Sequence, residues 1–348
     1  MRKKLLLAAV LLSFGFLSYA QQADWTMVPY RTGDKWGYSS VDQNVLIQPQ
    51  YEDAGWFYGG YAVVKKGGKY GYIDRTGKVV IPFRYYAAKP FRYGYTENKK
   101  TGKPDTVLFA GAALRSDGYE ICINTKGDRL NVCPAMNENA DPVNKGPMEV
   151  KEKVYTLTST NGLFDKIFDD YTVPGSADNY YIGQKNGLYG VFNNKFEVLV
   201  PFEYSALTKV TVGDKIYLVA KKADVNGVFR GDGSLLIPVE NNSIAYVKGR
   251  DDASYFIITK DGRSYVRTLE NKDVFISQYA DISYDSNGGF VITDAGNNRG
   301  FYYLNNTLVA PKYADVKLVN NNSSFLLVKT KTGKTGYVSA NGTEYFKD

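Results

Sequence analysis

The residue types that carry most enzymatic chemistry are scarce in this chain. None of its 348 residues is His and only two are Cys. Without imidazole it lacks the ordinary general base at neutral pH, the Ser–His and Cys–His nucleophile pairs, and the commonest zinc ligand. Cys122 and Cys133 are too few for a structural zinc site. They flank the turn Thr125-Lys126-Gly127-Asp128 on adjacent predicted strands. Pairing Asn124 with Asn131 would set the two thiols directly opposite, within reach of a bridge, whereas pairing Asn124 with Arg129 would leave them diagonal and too far apart. A bridge there would be a staple, favoured in an oxidising compartment.

Carboxylate chemistry survives this elimination. A glycosidase needs two Asp or Glu side chains facing one sugar bond, but nothing in the sequence singles out a pair from the 36 acids. The phosphate-binding Gly-rich loop, the Gly-x-Ser-x-Gly elbow and the calcium loop are all missing. The expectation is therefore a protein without catalytic residues, metal or cofactor, with a carboxylate-based glycan-active enzyme as the alternative. Binding rests on a different residue class. Thirty Tyr, eighteen Phe and three Trp make a high aromatic load, and Trp56, Tyr58, Tyr86 and Tyr302 are candidates to stack on sugar rings or anchor a partner protein. Most of the tyrosines recur in phase with a repeat, which points to packing between units.

That repeat must position everything else. Gly33-Asp34-Lys35-Trp36-Gly37-Tyr38, Gly68-Lys69-Tyr70-Gly71-Tyr72 and Asn186-Gly187-Leu188-Tyr189-Gly190-Val191 share one pattern: a polar turn, an aromatic residue, a glycine and a β-forming residue. The phase marker falls at Gly37, Gly71, Gly190, Gly227, Ser264, Gly300 and Gly336, with spacings of 34 to 37 residues outside one long gap. Two degenerate copies, near Ile121 and Thr156, fill that gap. Each unit reads as three strands. A hairpin such as Tyr70–Ile73, Asp74–Gly77, Lys78–Ile81 is closed by a proline (Pro49, Pro82, Pro201, Pro238, Pro311), followed by a tyrosine (Tyr51, Tyr85, Tyr204, Tyr279, Tyr313), a short irregular stretch and a further strand such as Tyr61–Val64. No long amphipathic helix is predicted.

On the strength of Lys35-Trp36-Gly37-Tyr38, Lys69-Tyr70-Gly71-Tyr72-Ile73-Asp74 and Gly77-Lys78-Val79-Val80-Ile81-Pro82, the chain resembles the WG-repeat (KWG-repeat) family over most of residues 33 to 342. The resemblance implies a bacterial, often exported protein, and it brings no agreed reaction or catalytic residues. The expected fold is all-β, a tandem array of about nine units. A β-propeller-like ring and an open superhelical array are both compatible with it. The N-terminal Trp25–Tyr30 resembles a third strand and the C-terminal segment the first two, so the ends together would complete a unit.

Residues 1–20 read as a secretory signal, with Arg2, Lys3 and Lys4 before the apolar run Leu5–Leu17 and a small-x-small site, Ser18-Tyr19-Ala20. The remaining 21–348 are expected to be one repeat domain, periplasmic or secreted, with no transmembrane segment. Without the three leader cations the formal charge of +7 falls to +4. The remaining charges are scattered rather than gathered into a phosphate-tracking stripe, which argues against nucleic acid. Polar departures from the repeat at 92–105 and 135–148 read as mobile loops, with a binding edge as the functional reading. The sequence as a whole points to an exported binding or scaffold module recognising protein, peptide or cell-envelope glycan.

Overall fold

A computed structural model describes residues 23–97, 104–116, 118–135, 164–249, 253–275, 278–319 and 324–348. Among them every regular element is a β-strand. The strands form eight small sheets, six of them meanders in chain order. The chain groups into two compact units, residues 1–144 with 346–348, and residues 145–345. The first unit holds the first three sheets and the second the other five, spanning 166–204, 206–241, 243–268, 281–313 and 315–339. Eight of the nine expected repeat phases therefore carry a sheet. The ninth, near Thr156, lies outside the described residues.

The second sheet shows how the sequence makes one unit. Its strands are Asp53–Tyr58, Tyr61–Lys66, Lys69–Asp74 and Val79–Tyr85, all antiparallel. Gly67 and Gly68 turn the central hairpin with φ of 60° and 72°, a region costly for any residue with a Cβ. At the next turn the Asp74 carboxylate accepts the Thr76 hydroxyl and the Thr76 and Lys78 amides, so it replaces backbone partners that the turn removes.

The unit is thus four-stranded, not three-stranded. The stretch expected to be irregular is the first strand of the next sheet, entered after a single corner residue: Tyr51 leads to Asp53, Tyr85 to Ala87, Tyr204 to Ala206 and Tyr313 to Asp315. The sixth and eighth sheets have three full strands, and isolated bridges stand in the fourth place. The prolines likewise do not end their strands. Each sits in a bulge within the fourth strand. Tyr70 pairs with Tyr85 and Tyr72 with Ile81, so Gly71 faces three residues, Pro82, Phe83 and Arg84. The same three-against-one bulge faces Gly37, Gly190, Gly227 and Gly300. A bulge leaves residues unpaired, so a proline, which has no N–H to donate, fits inside the strand. The bulged chain comes so close that a Cβ on Gly71 would lie 2.7 Å from the Ile81 oxygen, and one on Gly37 2.2 Å from the Ile47 oxygen. That contact is why the repeat keeps its glycine.

Within each unit the core lies between successive sheets. One cluster joins the second and third sheets through Tyr72, Ile81, Tyr85, Phe91, Ala110 and Ile123, and another joins the fourth and fifth through Tyr171, Ile182, Val200, Leu218 and Phe229. Buried phenols find partners on the neighbouring sheet: Tyr38 donates to the Gly55 oxygen at 2.7 Å and Tyr72 to the Lys89 oxygen at 2.9 Å. Tyr38 and Tyr72 are therefore packing residues, each an apolar body with a satisfied polar tip.

Burial pushes Tyr72, Tyr171, Tyr303 and Tyr313 well above the ordinary phenol value of 10.0, and Tyr204 up to about 12. The folded form holds these protons longer than the unfolded form, so their contribution to stability is complete below pH 10 and is lost as pH rises through 12 and beyond. Unfolding followed by circular dichroism should coincide with tyrosinate absorbance in that window. Tyrosinate formation well before unfolding would contradict the burial.

In the first sheet, Val28–Thr32, Lys35–Ser39 and Val45–Tyr51 are joined by Phe346–Lys347, which pairs in parallel with Arg31 and Thr32. The two terminal segments meet in one sheet only through Phe346–Lys347: Thr335–Ser339, expected to share a unit with Trp25–Tyr30, belongs to the eighth sheet.

Candidate functional site

The polar departure at 92–105 is not simply a loop. Arg92–Glu97 and Pro104–Ala113 pair from Phe109 opposite Arg92 to Pro104 opposite Glu97. Ala110–Ala113 of the same long strand pair with Glu120–Ile123, and Ala112 and Ala113 also with Ala87 and Ala88. The extra chain lengthens two strands of the third sheet into a hairpin. On one face Gly94 and Phe109 lie against Pro134 and Ala135; on the other Tyr93 and Tyr95 are exposed beside Leu108 and Thr106. The alternation in Arg92-Tyr93-Gly94-Tyr95-Thr96 was the signal for these exposed rings. The insertion at 135–148 lies beyond Ala135, outside the described residues.

Cys122 and Cys133 are joined, with Cα atoms 5.4 Å apart. Neither of the two loop registers brings them together. Ile123 pairs with Arg129, and the Leu130 amide donates to the Cys122 oxygen; the chain then bends through exposed Asn131 and Val132 and returns Cys133 to its partner. The bridge holds Ala135 on the hairpin edge, where it exchanges both backbone hydrogen bonds with Tyr95 at 2.9 Å. Changing both cysteines to serine should cost about 2–3 kcal/mol, given the short loop. The measurement is urea denaturation with and without reductant: wild type should weaken in reductant and the double variant should not respond. Equal stability of all four samples would show that the bridge contributes nothing.

Two of the four candidate stacking aromatics cannot serve that role. Trp56 is buried edge-on against Trp25, with ring centres 4.7 Å apart, because it points into the sheet interior from the strand Asp53–Tyr58. Tyr302 is buried against Phe275, 4.3 Å away, with its hydroxyl donating to Asn306. Tyr58 is half-buried. Tyr86 is 50% exposed and carries the Lys69 ammonium 2.7 Å from its ring centre. The structure does not gather the four into one site.

What it does build is a cleft where the repeat breaks its own rule. In the sixth sheet Tyr265 stands in the glycine's place: it pairs with Ile258 as Gly71 does with Val64, and the positive-φ turn residue, Asn271 here and Gly77 there, follows six positions on. The expected marker, Ser264, holds the tryptophan's place instead, with its hydroxyl buried against that of Thr259 at 2.9 Å. Ser264 pairs with Tyr279 and Arg267 with Asp273, the register of Tyr70 with Tyr85 and Ile73 with Val79, so the pairing of the other sheets is kept around a residue that has a side chain. A cleft of about 760 Å³ opens beside Tyr265. It is lined by side chains from the fifth and sixth sheets, all in one compact unit: Glu240, Lys260, Asp261, Arg263, Tyr265, Arg267 and Asp273, with Asn241 and Gln278.

The lining is highly organised. Lys260 Nζ lies 2.6 Å from Glu240, and that hydrogen bond holds the ammonium above its ordinary value. Arg267 bonds Asp273 through Nε at 2.9 Å and Asn271 through Nη1 at 2.8 Å, while its guanidinium lies 5.3 Å from the Tyr265 ring centre. The Tyr265 hydroxyl donates to Asn241 at 3.2 Å, and burial raises its pKa. Arg263 and Asp261 have no ion pair among the described residues. At the other ends of the same strands, two shallower grooves of about 620 and 390 Å³ share Asp214, Lys215, Leu269 and Glu270. None of these residues was singled out from the sequence. The legible sign was a copy of the repeat without its glycine.

Among the described residues no cluster of potential metal ligands occurs and no helix is long and apolar enough to cross a membrane. The carboxyls whose acidity the fold displaces all move downward. Hydrogen bonds from the Thr76 and Asn298 side chains lower Asp74 and Asp294; in Asp232 and Glu270, burial acts upward but is outweighed by hydrogen bonds from Ser234 and Lys215.

No curated protein matches the chain. Among solved structures, it is similar to dihydro-heme d1 dehydrogenase NirN at 15% identity and TM-score 0.30, covering 93% of this chain and 73% of that one. The Dos1 propeller is similar at 11% identity and TM-score 0.25, covering 83% and 78%. Virginiamycin B lyase from Staphylococcus aureus is similar at 14% identity and TM-score 0.21, covering 91% and 96%. The family model described as WG containing repeat matches twice, at residues 36–70 and 70–103. Each match starts at a tryptophan position, Trp36 or Tyr70, and runs through the glycine, the bulged proline strand and the tyrosine before the corner. Residues 36–103 of this all-β chain are thus a pair of WG containing repeats.

Proposed function

We propose that the protein is an exported binding module that recognises a ligand in the sixth-sheet cleft without transforming it. The observation that carries this reading is the tyrosine in the glycine's place, Tyr265, beside which a cleft of about 760 Å³ opens, within the roughly 300–1,000 Å³ of small-molecule sites. Support against catalysis comes from the same lining. A glycosidase acid must hold its proton near neutral pH, whereas Glu240 and Asp273 are each engaged by a cation. Secretion with cleavage after Ala20 would place the module in the cell envelope, facing protein, peptide or glycan.

The test uses residues 21–348, immobilised and exposed to envelope extract, beside an Arg263→Gln, Asp261→Asn variant that changes only exposed side chains. Retention of a component by the first and not by the second supports the reading; equal retention by both removes the cleft from it. Product analysis of the eluate addresses the alternative, a carboxylate enzyme. Bond cleavage that disappears on changing Glu240, Asp261 or Asp273 to its amide would replace the binding reading.

A further inference from the structure

We infer that the ligand of this cleft is a short, electrically neutral oligosaccharide. The inference rests on the binding reading above and adds the ligand's chemical class. Charge is the first argument. Three cations, Lys260, Arg263 and Arg267, face three carboxylates, Glu240, Asp261 and Asp273, so a polyanion or polycation meets as much repulsion as attraction. Two of the cations are already committed to carboxylates at 2.6 and 2.9 Å. Displacing either pair would leave a charge without its partner.

Hydrogen-bonding capacity is the second argument. Carboxylates only accept and guanidinium groups only donate, while Asn241 and Gln278 do both. A hydroxyl both donates and accepts, and so can bridge neighbouring members of this mixed lining. Asp261 and Arg263, with no ion pair among the described residues, offer one acceptor and one donor group at the same turn. Tyr265 adds a half-buried ring fixed from both sides, by the Arg267 guanidinium and by its bond to Asn241. Flat amphipathic rings suit the alternating apolar and hydroxyl surfaces of a sugar.

Backbone geometry is the third argument, and it disfavours a peptide. An extended peptide gains most of its affinity by adding to a free strand edge. Here the outer edge of Arg263–Thr268 is already occupied: Ser264 exchanges hydrogen bonds with Tyr279, Val266 accepts from Val274, and Thr268 donates to Lys272. The cleft opens beside that ladder, and its free groups are side chains.

Calorimetric titration of residues 21–348 decides the matter, with cellotriose, chitotriose, mannotriose and xylotriose as neutral probes and trigalacturonate and a hexaglutamate peptide as charged ones. At least one neutral trisaccharide should bind. Its affinity should stay within about twofold between roughly 50 and 500 mM salt, because no net charge is being screened. Arg263→Gln and Asp261→Asn, both at exposed positions, should each weaken it at least about fivefold, the loss of one or two hydrogen bonds. Failure of all four neutral probes, salt-sensitive binding of a charged probe instead, or unchanged affinity in both variants overturns the saccharide assignment. Cleft-dependent retention from envelope extract would still stand in that case, so the loss of the ligand class is separable from the loss of the binding reading.

Discussion

Gly300→Ala should lower the stability of the protein by about 3 kcal/mol, the upper end of what overpacking costs. The added methyl would sit 2.4 Å from the Val309 oxygen and 2.6 Å from the Pro311 nitrogen, and both are backbone atoms that cannot rotate away. Relief requires moving the three-residue bulge, and with it the corner at Tyr313 and the entry to the next strand. Gly37→Ala, with a contact of 2.2 Å to the Ile47 oxygen, should behave alike. Ser264→Ala is the control. That position already accommodates a Cβ, so its loss should be limited to the hydrogen bond with Thr259, about 1 kcal/mol. Urea denaturation of the three variants makes the comparison; equal losses would show that the glycine is not required by the bulge it faces.

Deleting Phe346–Asp348 should be at least as damaging to the first sheet. Arg31 is only 3% exposed, and its guanidinium lies 2.5 Å from the Asp348 carboxylate and 5.5 Å from the centre of the Phe346 ring. Removing one member of a buried pair costs about 3–5 kcal/mol; the lower figure applies here because Asp348 is 38% exposed. The Gly33 amide also loses its acceptor, the Lys347 oxygen. Hydrogen exchange is the direct readout: amides of Val28–Thr32 should lose protection in the truncated chain while those of Lys215–Lys222 keep theirs. Retained protection at Val28–Thr32 would mean that the terminal pairing is dispensable.

Much of the fold was legible because the repeat states it many times over. Glycine at positive φ, an alternating strand and a proline at fixed distance recur, and each copy corrects the noise in the others. The first strand of each unit was not legible, since segments such as Asp53-Ala54-Gly55-Trp56-Phe57-Tyr58 are poor in β-branched residues and follow their predecessor after one corner residue. The reading of proline as a strand end failed for a related reason. A bulge removes the need for an N–H, and the sequence does not announce bulges. Among the candidate site residues, Trp56 and Tyr302 were picked for their ring chemistry, yet their burial is decided by strand register, which residue type alone does not reveal. The cleft was written in the sequence only as a departure, a copy of the repeat without its glycine, and that Tyr265 rather than Ser264 takes the glycine's place became visible once the pairing of Tyr279 was known.

The sheet assembled from both chain ends also bears on how the protein folds. Arg31 and Asp348 are 317 positions apart, so the pairing closes a loop nearly as long as the chain itself. Local hairpins can form as soon as their residues emerge, but Val28–Thr32 must wait for Phe346–Lys347, more than 300 positions away. Until then the first sheet presents an incomplete edge, the kind of surface that attracts unwanted strand pairing. On any route that presents the chain from its N-terminal side, the first sheet stays incomplete until Phe346–Lys347 arrive.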